Sequence, residues 1–66
     1  MIIVNDRDRV AWRDDLTVQD LLTVMGYSYV LITVTVNDEL VAEHDYPHYR
    51  IPDDARVTIF HLAHGG

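Results

Sequence analysis

The sequence predicts an α+β fold in which a mixed sheet of four to five strands carries one main helix on one face. Short apolar runs rich in β-branched residues lie at the start, in the middle and at the end of the 66 residues, which is typical of strands. Segment 16–26 has helical periodicity instead. Turn-forming residues separate these segments without any repeat or linker, so residues 1–66 are expected to form a single domain.

The first two runs predict a β-hairpin. The chain opens with "MIIVN", whose residues Met1 to Val4 are apolar, and continues into the turn-prone "NDRD". In the following "VAWRD", Val10 and Trp12 alternate with Ala11 and Arg13. Two such runs separated by polar turn formers indicate a hairpin, and we expect Trp12 to belong to the core.

Segment 16–26, "LTVQDLLTVMG", predicts the helix with matching start, face and stop signals. Thr17 is placed as the N-cap with Asp20 three residues later, and Leu16 and Leu21 are spaced as a hydrophobic staple. Gly26 can adopt the left-handed conformation that ends a helix. The buried face is predicted from apolar residues at i, i+3, i+4 and i+7, namely Val18, Leu21, Leu22 and Met25.

The middle of the chain predicts a half-buried strand followed by irregular structure. In "VLITVTVN" the threonines alternate with a buried face made of Val30, Ile32, Val34 and Val36. "NDE" at 37–39 should turn the chain into a short run at 40–42. The segment "EHDYPHYRIPDDAR" has no period, so it predicts a loop with Ile51 as its core anchor and a tight turn at 52–55.

The last strand, "VTIFHLA", has apolar residues on both faces, so it is either central or turns its outer face to a partner. One face holds Val57, Ile59 and His61, and the other holds Thr58, Phe60 and Leu62. We expect this strand to lie next to the first strand, with the helix packed on one side of the sheet. That order of elements is the β-grasp arrangement.

Composition narrows the classes of partner. The formal net charge of −6 disfavours nucleic acid and anionic membranes, because both require cationic patches. All five basic residues are arginines, so no side chain can accept an isopeptide bond or form a Schiff base. Cysteine is absent, and the sequence shows neither a transmembrane segment nor a signal peptide, so a cytoplasmic location is the default expectation.

Metal binding and catalysis find little support in the sequence. His44 and His48 are four residues apart, but Pro47 between them disfavours the helix that would align them. His61 and His64 would point to opposite faces of a strand. We therefore predict no metal site. A chain this short also leaves no room for a deep cleft in which acid–base groups could be paired.

These segments, taken in order, resemble the ThiS/MoaD family of ubiquitin-like sulfur carriers, and the ThiS branch most closely. The matching pieces are "MIIVN", "TVQDLL", "VTVNDELV" and "IPDDARVTIF", followed by a short spacer and a terminal "GG". One departure is that Asp53, Asp54 and Ala55 stand where the family usually has Asp-Gly-Asp. Because Asp tolerates the left-handed region better than most residues, we expect the turn to persist with some strain.

The resemblance implies a carrier protein and not an enzyme. It implies that the carboxylate of Gly66 is adenylated by an ATP-using ThiF-like or MoeB-like enzyme and converted to a thiocarboxylate, with no cofactor resident on the chain. An acceptor enzyme would then take the sulfur, a ThiG-like thiazole synthase in the ThiS branch or molybdopterin synthase in the MoaD branch. Another sulfur pathway, a ubiquitin-like modifier attached to target lysines, and a passive interaction module remain alternatives. We expect the free chain to be a monomer.

The resemblance also implies a tail and a docking surface. Residues 63–66 should form a flexible tail, in which Gly65 and Gly66, preceded by His64, can enter a narrow active-site channel because glycine has no side chain and few restrictions on φ. The single helix can cover one sheet face only. We therefore expect the activating enzyme to dock on the open face, through apolar residues that include Phe60, Leu62 and Leu31.

Overall fold

The computed structural model describes residues 1–27 and 32–61, the last of these by its backbone alone. The helices and strands are β1 (Ile2–Val4), β2 (Asp8–Val10), α1 (Val18–Met25), β3 (Ile32–Val36), β4 (Glu39–Val41), a single 3₁₀ turn (Glu43–Asp45) and β5 (Arg56–His61). The five strands form one sheet in the order β2-β1-β5-β3-β4. The central pair, β1 and β5, is parallel, and the other neighbours are antiparallel. This is the ubiquitin-like β-grasp fold, so the prediction is confirmed.

Helix α1 begins and ends where the sequence predicts. The Oγ1 atom of Thr17 accepts a hydrogen bond from the Asp20 N–H at 3.1 Å, and the Thr17 N–H donates to Asp20 Oδ2 at 3.2 Å. This reciprocal capping box satisfies two amides that the helix itself leaves unpaired. Leu16 and Leu21 of the predicted staple are both buried, and Gly26 ends the helix in the left-handed conformation with φ 75°.

The apolar face of α1 packs against one face of the sheet. Helix residues Val18, Leu21 and Leu22 are fully buried, whereas Met25 is only partly buried at the edge of the core. Ile51 is 1% exposed, which confirms it as the anchor of the long loop. The sheet contributes eight buried strand residues to this core, every second residue along β1, β3 and β5 and the last residue of β4, namely Ile2, Val4, Ile32, Val34, Val36, Val41, Val57 and Ile59. Val30 lies outside the described residues.

The first hairpin is confirmed, but its second strand was predicted too far along the chain. The expectation placed this strand in "VAWRD", residues 10–14, and the structure has β2 at Asp8–Val10. A three-residue turn, residues 5–7, places Asp8 opposite Val4. Trp12 lies outside the sheet, in the loop after β2, where its indole N–H donates to the Ile51 carbonyl at 2.7 Å. The Trp12 ring is partly buried against the core, as expected, although it packs from a loop.

The second hairpin is tighter than predicted. Asn37 and Asp38 alone form the turn, with φ values of 50° and 68°. Two central residues with positive φ are typical of the type I′ turn, whose twist suits antiparallel strands. Glu39 therefore already lies in β4, one residue before the expected run at 40–42.

The turn before β5 persists without the family's glycine. Asp54 has a φ of 60°, a left-handed conformation that Asp tolerates better than most residues. The Met1 ammonium contacts Asp53 Oδ1 at 3.0 Å and Asp54 Oδ1 at 3.4 Å. The hydrogen bond to Asp53, aided by Asp54, raises the pKa of this ammonium above its ordinary value. These contacts connect the turn to the start of the chain.

Candidate functional site

The candidate site begins at the end of β5, the strand that leads toward Gly66. β5 lies in the middle of the sheet, and its pairing with β3 continues to its last residue, where His61 lies opposite Ile32. Its pairing with β1 stops at Val57, which lies opposite Val4. The last four residues of β5 therefore have a strand neighbour on one side only, among the elements that the structure describes.

The sheet face opposite α1 is not covered by any described element, and we call it the open face. The strand register shows which positions point to it, because each strand alternates and paired residues share a face. These positions are Ile3, Arg9, Thr33, Thr35, Leu40, Arg56, Thr58 and Phe60. All are partly or fully exposed, in contrast to the buried residues between them.

Phe60 is the aromatic residue of the open face and lies one residue before the end of β5. Its side chain is 51% exposed, and its cross-strand partner is Thr33. A large ring that remains half exposed beside small threonines can bury apolar area against a partner. The other predicted docking residues, Leu31 and Leu62, lie outside the described residues, as do His64, Gly65 and Gly66.

Leu40 was missed as a candidate site residue in the sequence. It is 67% exposed on β4, opposite Thr35, and therefore shares the open face with Phe60. The sequence places Leu40 in a short apolar run without a clear alternation, so its face depends on the two-residue turn that precedes it. A type I′ turn at "ND" was the signal that could have fixed its register.

The open face differs in charge from the rest of this acidic chain. Arg9 and Arg56 flank Ile3, and no acidic side chain occupies the open-face strand positions within the described residues. A carboxylate from a neighbouring turn contacts this face, because Asp6 Oδ1 lies 3.5 Å from Arg56 Nε. Along β5 the face thus changes from a cation at Arg56 to an aromatic ring at Phe60.

The remaining polar groups give no sign of a second chemical site. Within residues 1–27 and 32–61, no cluster of three or more His, Cys, Asp or Glu side chains could hold a metal ion. His44 contacts Asp45 on the exposed 3₁₀ turn, beside a surface depression that Tyr46 and Pro47 help to line. No helix among the described residues is long and apolar enough to cross a membrane.

Comparison with known proteins finds a matching family model and a similar solved structure. The family model described as the ThiS family matches residues 2–66. The crystal structure of the thiamine biosynthesis protein ThiS from Geobacter metallireducens is similar, with a TM-score of 0.79 and 22% sequence identity over 98% of this chain and 97% of that chain. Because the sequence identity is this low, the structural similarity establishes the fold and nothing further. No curated protein matches the chain at the level of sequence.

Proposed function

Because this chain belongs to the ThiS family of small sulfur carriers, we propose that its Gly66 carboxylate is the group that carries sulfur. The carboxylate is adenylated and converted to a thiocarboxylate, which gives up its sulfur in the synthesis of the thiazole ring of thiamine. The observation that carries the proposal is the family match, which extends to Gly66 and so includes the terminal "GG".

The chemistry consists of two displacements at the end of the tail. A carboxylate oxygen of Gly66 attacks the α-phosphorus of ATP, and the bond to pyrophosphate breaks, which leaves an acyl adenylate. A hydrosulfide equivalent then attacks the acyl carbon, a C–S bond forms, and AMP leaves. Loss of the proton gives the thiocarboxylate. Both displacements take place in the active site of a ThiF-like enzyme, and ATP binds to that enzyme.

The absence of lysine protects a carrier whose terminal carboxylate becomes a reactive acyl adenylate. An acyl adenylate reacts with any accessible amine to give an amide and AMP. The chain has no lysine, so none of its side chains can compete with the sulfur nucleophile in this way. Arginine supplies positive charge in place of lysine, and its guanidinium remains protonated and therefore non-nucleophilic.

We propose that the activating enzyme docks on the open face beside the end of β5. Phe60 supplies exposed apolar area there. We propose Leu62 and Leu31, which lie outside the described residues, as further docking residues. A partner that buries Phe60 must be apolar opposite the ring. If the interface extends to Arg9 and Arg56, the partner must also offer carboxylates or carbonyls there, because a buried guanidinium needs an acceptor.

The same carboxylate must visit a second active site in the acceptor enzyme. We propose a thiazole synthase in this role, because the chain belongs to the ThiS family. A rigid strand followed by two glycines suits repeated delivery, because the folded domain can dock on each enzyme while the glycines adapt to each channel.

The adenylation half of the proposal is tested by ATP–pyrophosphate exchange with a ThiF-like enzyme. The full chain should support exchange, and deletion of Gly66 should abolish it while the circular dichroism spectrum stays unchanged. Full exchange with the truncated chain would refute the assignment to Gly66. Adenylation followed by stable conjugates on target lysines, with no thiocarboxylate formed, would instead favour a protein modifier.

A further inference from the structure

Asn5 continues the pairing of β5 after β1 has ended. Strand β1 stops at Val4, and the positive φ of 54° at Asn5 turns the chain away from the sheet. The Asn5 backbone N–H still donates to the Val57 carbonyl at 2.8 Å. Its side-chain Oδ1 accepts a hydrogen bond from the Ile59 N–H, also at 2.8 Å. A side-chain carbonyl thus takes the place of the strand carbonyl that β1 no longer supplies.

The hydrogen bond to Ile59 lies where β5 leads toward the tail. On one side β3 pairs with β5 up to His61, and on the other side β1 is absent beyond Val57. Without Asn5, the Ile59 N–H would have to find water in a partly buried place. A strand end held from one side frays more readily, because local opening then breaks fewer contacts.

Asn5 is connected in turn to the end of the helix. Its Nδ2 donates to the Tyr27 hydroxyl at 3.4 Å, and the Tyr27 N–H donates to the Leu22 carbonyl in the last turn of α1 at 3.0 Å. Tyr27 is partly buried against the core. The end of β5 is therefore connected to β1 through Asn5, and to the end of α1 through the side chains of Asn5 and Tyr27.

Asn37 makes a similar pair of hydrogen bonds at the opposite end of β5, both of them to Arg56. It also has a positive φ, 50°, at the first position of a turn. Its N–H donates to the Arg56 carbonyl at 2.8 Å, and its Oδ1 accepts from the Arg56 N–H at 2.9 Å. The two asparagines therefore hold opposite ends of β5, and Asn5 alone of the two is also described as contacting Tyr27. Asn37 provides a control for the contacts with the β5 backbone.

From these contacts we infer that Asn5 is a positioning residue for sulfur loading. By holding Ile59 from the side that β1 leaves open, it fixes the direction in which β5 leads to Gly66. A larger fraction of docked carrier then has the carboxylate in the adenylating site. The effect of Asn5 on sulfur loading rests on the proposed function. The positioning of the end of β5 does not, because it is a property of the folded chain.

Three variants test the hydrogen bond between the Ile59 N–H and the Asn5 side chain. Asn5→Gly removes the side-chain acceptor for the Ile59 N–H together with the donor to the Tyr27 hydroxyl. It keeps a residue that adopts positive φ without strain, so the turn is retained. Asn37→Gly makes the same change at the start of β5. Asn5→Asp restores an acceptor oxygen for the Ile59 N–H and also tolerates the left-handed region. Chemical denaturation of all three gives the stability against which the functional effects are compared.

Steady-state adenylation by a ThiF-like enzyme distinguishes positioning from a structural role. With Asn5→Gly we expect kcat to fall roughly two- to tenfold, the range for loss of the hydrogen bond with Ile59, with KM for the carrier nearly unchanged. Asn37→Gly should keep the wild-type kcat although it loses a similar amount of stability. Asn5→Asp should recover most of the kcat that Asn5→Gly loses. An unchanged kcat in Asn5→Gly, or an equal fall in both glycine variants, would overturn the inference.

Amide hydrogen exchange separates this inference from the proposed function. Exchange at Ile59 should accelerate in Asn5→Gly and remain at the wild-type rate in Asn37→Gly, where Arg56 should accelerate instead. If the wild-type chain is not adenylated at all, the proposed function fails, and the exchange data alone decide whether Asn5 holds the end of β5. Unchanged protection at Ile59 in Asn5→Gly would overturn the positioning.

Discussion

Replacement of Phe60 by alanine should weaken docking of the carrier on its activating enzyme more than any other exposed apolar substitution among the described residues. Phe60 is 51% exposed, so a partner can bury about half of an aromatic side chain of roughly 200 Å², or about 100 Å². At about 25 cal/mol per Å² this area corresponds to about 2.5 kcal/mol. That value is an upper figure, because ordering of the interface offsets part of it.

We therefore expect the dissociation constant of the carrier–enzyme complex to rise roughly tenfold to sixtyfold in Phe60→Ala, which isothermal titration calorimetry can measure. Val24→Ala is the matched control, because Val24 is 62% exposed on α1, away from the open face. It should leave the affinity unchanged. Equal affinities for wild type and Phe60→Ala, with both chains folded, would refute docking through the open face.

Further predictions concern docking, stability and pH. Leu40→Ala should weaken binding less than Phe60→Ala, since Leu40 lies two strands from β5, and titration calorimetry would show the ranking. Leu21→Ala should lower the free energy of unfolding in urea by about 2–5 kcal/mol, because Leu21 is fully buried. Thr17→Ala should lower it by about 1 kcal/mol through loss of the N-cap, again measured in urea. The Met1 ammonium has a raised pKa, so its stabilising contribution is complete below pH 8.0 and is lost as pH rises through the folded-state pKa. Asp53→Asn should reduce that loss in urea titrations at alkaline pH.

Local signals predicted the helix and the turns that have a distinctive residue. Thr17 and Gly26 each act through neighbouring backbone groups, so their roles can be inferred without the rest of the fold. The same holds for the turn at Asp54, whose positive φ agrees with its tolerance of the left-handed region. Alternation in 32–36 predicted the buried face of β3, because the helix covers one side of the sheet and water the other.

Features that depend on contacts between residues far apart in the sequence could not be predicted from local patterns. The alternation of Val10 and Trp12 suggested a strand, but the carbonyl of Ile51 accepts the Trp12 indole N–H and draws that residue off the sheet. The exposure of Leu40 depends on the register of β4 against β3. The role of Asn5 needed the observation that β1 ends before β5 does.

The central claim is that the Gly66 carboxylate carries sulfur, and the intact mass of the chain tests it most directly. The purified chain is incubated with a ThiF-like enzyme, ATP and a sulfide donor, beside a chain that lacks Gly66. We predict a mass gain equal to replacement of one carboxylate oxygen by sulfur in the full chain and no gain in the truncated one. An unchanged mass of the full chain, with an enzyme that loads another carrier in parallel, would contradict the account.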